Sequence, residues 1–212
     1  MNTISLFRAG VVAGLFSTAL LGAACSNSST TPAGNGTMAM QLTDAPFLTD
    51  SVSRVDIFVV RVDAKMTDAD SATATKGAPD DSASVGGWTT ISTPNQSVNL
   101  LAYQNGTVLS IGSASMPAGS YLGFRLVIDP TRSSITLKNG AVLTSNSTPS
   151  VSFPSASRSG IKIALSAPVT ITAGQTTTVL IDFLVLNSFV MKGNSIATNG
   201  LNFTPVIHAS VK

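Results

Sequence analysis

The sequence predicts an all-β fold, an antiparallel β-sandwich, and three observations predict it. All ten acidic residues are Asp and Glu does not occur; Glu suits exposed helix faces, whereas Asp, Ser, Thr and Gly suit turns and caps. From Thr37 onward, apolar residues alternate with polar ones or form short runs broken by Gly, Pro and Asn, which is the period of strands. About ten such runs recur at spacings of roughly 8 to 15 residues, as in sandwich domains.

Met38, Met40 and Leu42 make the first strand, closed by Thr43-Asp44-Ala45-Pro46. Val55, Ile57 and Val59 alternate with Phe58, Val60 and Val62, so the second strand is apolar on both faces and belongs in the middle of a sheet. Val98–Leu101 and Val108–Ile111 flank Gln104-Asn105-Gly106, a hairpin signal. Tyr121–Ile128 follows the turn Pro117-Ala118-Gly119, and Ile135–Leu137 meets Ala141–Leu143 across Lys138-Asn139-Gly140. Ile161–Leu165, Val169–Thr172 and Thr177–Leu186 come next, with Ala173-Gly174 as a turn, and Phe203–Val211 closes the chain. Residues 64–87 lack any apolar period and read as one long loop.

The 212 residues are 43% hydrophobic, enough for one domain with a packed core. Only 10% are charged, the formal net charge is +2, and no Lys/Arg cluster occurs. The electrostatic footprint of a nucleic-acid binder is therefore missing, and no nucleic-acid partner is expected. A small outer-membrane barrel is the nearest competing fold, but it needs aromatic girdles at both interfaces. One Trp and two Tyr do not supply them.

Residues 1–24 have the three parts of a secretory signal: Arg8, an uncharged apolar run from Ala9 to Leu21, and the small residues Gly22-Ala23-Ala24. Cys25, the one cysteine of the chain, comes directly after. Leu20-Leu21-Gly22-Ala23-Ala24-Cys25 resembles a lipobox, with Gly22 standing where such sites prefer a branched residue. Lipidation at Cys25 would tether the protein to a membrane, and Ser26 behind the cysteine fits the outer membrane. Cleavage by ordinary signal peptidase is the alternative. Residues 25–36 are polar and rich in Ser, Thr and Gly, as in a tether. Residues 37–212 form the domain.

Seven landmarks in order resemble a family of bacterial lipoproteins that carry a domain of unknown function. They are Leu42-Thr43-Asp44-Ala45-Pro46, Gly87-Trp88, Val98-Asn99-Leu100-Leu101, Pro117-Ala118-Gly119-Ser120-Tyr121, Ser159-Gly160-Ile161-Lys162-Ile163, Asp182-Phe183 and Pro205-Val206-Ile207. The resemblance covers Gly36 to His208 and implies an envelope β-sandwich of immunoglobulin- or transthyretin-like appearance. It implies no catalytic residues. The sequence departs from the pattern in the long Asp-rich loop and at Asn99, where an acidic residue is common.

No G-x-S-x-G elbow, H-E-x-x-H pair, Cys/His zinc spacing or phosphate loop occurs, and His208 is the single histidine. With no Glu either, acid–base chemistry would rest on Asp, Lys or Tyr, so no enzyme is expected. The carboxylates carry the remaining candidates. Asp182 lies among Leu180, Leu184 and Leu186, and if buried it needs a partner, for which Arg125 is the candidate ion-pair mate. Asp44 reads as a turn residue or, with Asp68 and Asp70, as an oxygen-ligand set for Ca²⁺. Trp88 reads as a core plug or as a stacking platform for a sugar. These readings lead to a non-catalytic surface or assembly module of the envelope. It would bind the membrane through its N-terminal lipid and an envelope protein or glycan through its domain.

Overall fold

The computed structural model describes residues 34–44, 51–67, 87–154 and 159–212. The leader, Cys25, Asp68 and Asp70 lie outside the described residues, as does the Ala45-Pro46 end of the first motif.

Fourteen strands are described: β1 (Asn35–Asp44), β2 (Val52–Met66), β3 (Trp88–Ser92), β4 (Gln96–Asn99), β5 (Leu109–Pro117), β6 (Gly119–Ile128), β7 (Ser134–Leu137), β8 (Val142–Leu143), β9 (Val151–Ser152), β10 (Ile161–Ile171), β11 (Thr176–Phe183), β12 (Phe189–Met191), β13 (Leu201–Phe203) and β14 (Ile207–Val211). Two single-turn helices, α1 (Val185–Ser188) and α2 (Ile196–Asn199), lie on either side of β12. The fold is all-β and sandwich-like. One sheet runs β14-β11-β1-β5; a second runs β10-β6-β2-β7-β8, with β3 and β4 also on β2; a third, small sheet runs β12-β13-β9.

β2 is the central strand that its two apolar faces predict. Lys65 pairs with Gly123 of β6 on one edge and Trp88 of β3 on the other, and Asp56 likewise pairs with Ser134 of β7 and Asn99 of β4. One edge thus holds β6 then β7, and the chain passes between them without leaving it. Asp129 N–H donates to the Phe58 carbonyl (2.9 Å), and the Ser133 hydroxyl accepts from Phe58 N–H (3.0 Å) while donating to the Asp129 carbonyl (2.7 Å). Such side-chain bonds satisfy backbone groups where the ladder breaks.

Between the sheets lies one apolar core. β1 contributes Met38, Met40 and Leu42, all fully buried, and β11 contributes Val179, Ile181 and Phe183. From the larger sheet come Val55, Ile57, Val59, Phe124, Leu126 and Ile163. Phe203 joins the small sheet to this core, its ring centroid 5.1 Å from Phe153, 6.0 Å from Phe183 and 5.0 Å from Phe189.

Several expectations are corrected. The sandwich is mixed rather than purely antiparallel: β1 runs parallel to β11, and β13 parallel to β9. Gln104-Asn105-Gly106 does form a turn, with Thr107 N–H donating to the Gln104 carbonyl at 3.1 Å, but it joins no hairpin. A 3₁₀ turn over Leu100–Tyr103 buries Leu100 and redirects the chain, so β4 pairs with β2 while β5 pairs with β1 in the other sheet. Of the segment expected as a loop over 64–87, Ala64 to Met66 instead pair with β6, and residues 68–86 lie outside the described residues. By contrast, the hairpin at Lys138-Asn139-Gly140 forms as expected, Ile135 opposite Leu143.

The small sheet depends on a bare backbone at Gly200. With φ at +80°, a Cβ there would lie 2.1 Å from the Ser150 carbonyl oxygen, the acceptor of Leu201 N–H at 3.0 Å. Gly200→Ala is therefore expected to cost about 2 kcal/mol by forcing β13 off β9. A thermal melt should show a midpoint lower by about 4–8 °C.

Candidate functional site

Three places on the fold gather polar or open chemistry, and each can be built from its strand positions.

The first is the outer face of the larger sheet. Along β2 the buried Val62 and Ala64 face the core, so Arg61, Asp63 and Lys65 belong to the opposite phase. Asp63 pairs in register with Arg125 on one side and Thr90 on the other. Its carboxylate is fully buried and fully engaged. Arg61 donates through Nε to both oxygens (2.9 and 3.1 Å), Arg125 through Nε and Nη2 to Oδ2 (2.9 and 2.7 Å), and Thr90 through its hydroxyl to Oδ1 (2.9 Å). The Trp88 ring stacks on the Arg125 guanidinium, 4.8 Å from centroid to Cζ. Gly160 closes the cage from β10's side, since a Cβ there would meet Arg125 Cγ at 2.6 Å.

This geometry corrects the ion pair expected from sequence. Arg125 pairs with Asp63, not with Asp182, which lies on β11 in the other sheet. The alternation on β11 explains why: Val179, Ile181 and Phe183 are buried, so Leu180 and Asp182 point away from the core and are half-buried. Leu186, taken with them as apolar surroundings, is 58% exposed. Trp88 is likewise neither a core plug nor a free platform. It is half-buried and covers one face of an ion pair.

The second place is the corner where β1 ends. Asp44 continues the inward phase of Met38, Met40 and Leu42 and is 3% exposed. Its Oδ1 accepts from Val185 N–H (3.1 Å), and Oδ2 accepts from the Gln104 amide (3.1 Å), so it ties the end of β1 to α1 and to the turn before β5. Beside it, the Thr43 hydroxyl lies 2.9 Å from both the Tyr103 and Thr107 carbonyls. Burial raises the Asp44 carboxyl to about 6 against these two hydrogen bonds, and the neighbouring Asp182 charge adds to the rise. One Asp182 oxygen, Oδ1, is buried with no hydrogen-bond partner. The contact at Val185 is a long-range tie rather than the local backbone bond of a turn, and the residues that follow Asp44 lie outside the described residues. For calcium, Asp44 offers oxygens already occupied by two donors, and among the described residues no three His, Cys, Asp or Glu side chains come together. His208 is exposed on β14, opposite Asp182 in register.

The third place was not legible in sequence. Where β2 and β7 begin and end beneath the small sheet, a cavity of about 170 Å³ is lined entirely by apolar side chains, among them Val52, Val55, Ile135, Phe189, Ile196 and Leu201. It adjoins a more polar cleft of about 490 Å³ with Ser51, Lys138, Asn139, Asn194 and Ser195 on its walls. Met191 and Ile196 border both. Leu186, Val190 and Met191 around them are 58%, 51% and 43% exposed. Exposed aliphatics beside a preformed apolar cavity are the ordinary layout of a binding site.

The protein defined by this fold is a β-sandwich-like domain whose buried carboxylates hold strands and corners together. The chain belongs to the family described as "Domain of unknown function (DUF4382)", which matches residues 35–205. Neither the curated proteins nor the solved structures contain a match. Among the described residues, no helix is long and apolar enough to cross a membrane.

Proposed function

We propose that this protein is an exported, lipid-anchored and non-catalytic module of the bacterial envelope. Cys25 holds it to the outer membrane, and the end of the sandwich farthest from that anchor meets its partner. The observation that carries the reading is the placement of the two ends. The chain enters at Gly34 and Asn35, whose carbonyls accept from Ala118 and Gly174 N–H at 2.9 Å each. β1 then runs ten residues, roughly 30 Å, to Asp44, at the end where Val185, α1 and the open cleft lie. A tether at one end and an open apolar site at the other suit a domain held out from a surface.

The reading also draws on the signal-like residues 1–24 and on the polar segment that joins Cys25 to β1. Two or more acyl chains on one cysteine give stable anchoring where a single chain does not. Cys25→Ser is expected to move the protein from the membrane fraction into the soluble fraction, followed by immunoblotting after ultracentrifugation. Unchanged membrane association would overturn the anchor.

A further inference from the structure

We propose that the distal cleft binds a small amphiphile: an apolar end of about six to eight carbons in the inner cavity, and a carboxylate held at Lys138. This deepens the proposed function, because it takes the distal end as the binding end.

Size sets the apolar part. The inner cavity measures about 170 Å³, and an engineered apolar cavity of about 150 Å³ accommodates benzene, six carbons. Its lining side chains are all apolar, so a hydroxyl or charge buried among them would lose hydrogen bonds to water with little replacement. An apolar group gains by entering, because it leaves water for an apolar surround.

Charge sets the other part. The outer cleft, about 490 Å³, falls in the range of small-molecule sites and is walled by hydroxyl, amide and ammonium groups. Lys138 is the one charged side chain among the residues lining either chamber. It projects from the hairpin turn between β7 and β8, exposed to water, so its ammonium can move to meet an anion. A ligand that spans both chambers passes Met191 and Ile196, apolar end first, and leaves its head beside Lys138. Several hydrogen-bonding groups nearby, Asn139, Asn194 and Ser195, can serve the polar remainder of a natural ligand.

The test uses the full-length Cys25→Ser protein, so that its own acyl chains cannot fill the site, with sodium octanoate and 1-octanol as calorimetric probes. Saturable 1:1 binding of octanoate is expected. Lys138→Gln should weaken it about three- to fivefold, the worth of one exposed ion pair, and leave octanol unchanged. Met191→Trp, at a position 43% exposed and bordering both chambers, should abolish binding of both probes without lowering the melting temperature. Absence of saturable octanoate binding would overturn the proposal, as would an unchanged affinity in Lys138→Gln. Tighter binding of an uncharged Val-Leu-Val tripeptide than of octanoate would assign the site to extended peptide instead. None of these outcomes bears on the anchor, which the fractionation of Cys25→Ser tests alone.

Discussion

Replacing Asp63 with alanine is expected to destabilise the domain by about 3–5 kcal/mol, the usual cost of removing one partner from a buried ion pair. The size follows from what is left behind. Arg125, 12% exposed, and Arg61, 23% exposed, would keep their charges with no carboxylate between them, and the Thr90 hydroxyl would lose its acceptor. Arg125 cannot easily swing to water, since Trp88 stacks on it and Gly160 abuts its stem. Urea denaturation should show the loss as a lower midpoint with an unchanged slope. Removing Asp63 and Arg125 together should recover part of it, because a buried pair replaced by apolar groups of similar volume is often neutral and only the more exposed Arg61 is then left without its carboxylate. Asp63→Leu combined with Arg125→Met is therefore expected to be more stable than Asp63→Ala alone. A loss below about 1 kcal/mol in the single variant would show that water reaches this site and screens it.

Asp44 should give the domain an inverted response to mild acid. Its carboxyl titrates at about 6 in the folded protein against an ordinary 3.8, so the folded state holds the proton more tightly than the unfolded chain. Below pH 3.8 both states are protonated and nothing is lost. Between pH 3.8 and about 6 only the folded state keeps its proton, and stability falls as pH rises. Above that window the full cost, about 3 kcal/mol for a shift of about two units, is present. Asp44→Asn retains the oxygen that accepts from Val185 N–H and cannot ionise. It should match the wild type near pH 4 and exceed it by about 1–3 kcal/mol at pH 7, as measured by urea denaturation at the two pH values. A difference that does not change with pH would show that Asp44 stays ionised throughout.

The longer strands were legible in sequence because each carries its own period, whereas the short strands β3, β9 and β12 were not predicted. The apolar alternation of β1 and the two-faced run of β2 mark their burial directly, and Lys138-Asn139-Gly140 marks its hairpin. What could not be read was which strands would meet. The turns at Gln104-Asn105-Gly106 and Ala173-Gly174 look like hairpin turns, yet each links strands of different sheets. Turn chemistry bends the chain without saying where the next strand finds its hydrogen bonds. The ion pair failed for a related reason. Asp182 and Asp63 are both carboxylates in apolar strands, and only the position of β6 beside β2 selects Asp63 for Arg125. One local signal did exist, Arg61-Val62-Asp63, two opposite charges in the same phase of a central strand. The distal cavity had none, because its walls come from strands and turns between Val52 and Leu201.

The parallel union of β1 with β11 bears on how such a chain comes to be folded at all. Thr37 lies beside Thr176, and Asp44 beside Phe183, so β1 must wait for a partner strand that leaves the ribosome much later. Until then, a ribbon bearing Met38, Met40 and Leu42 has an unfilled edge and nothing to cover its oily side. Distant pairings of this kind are slow to form. The interval is one of exposure to proteases and to self-association, and it gives a cell reason to escort the nascent polypeptide until β11 has been made.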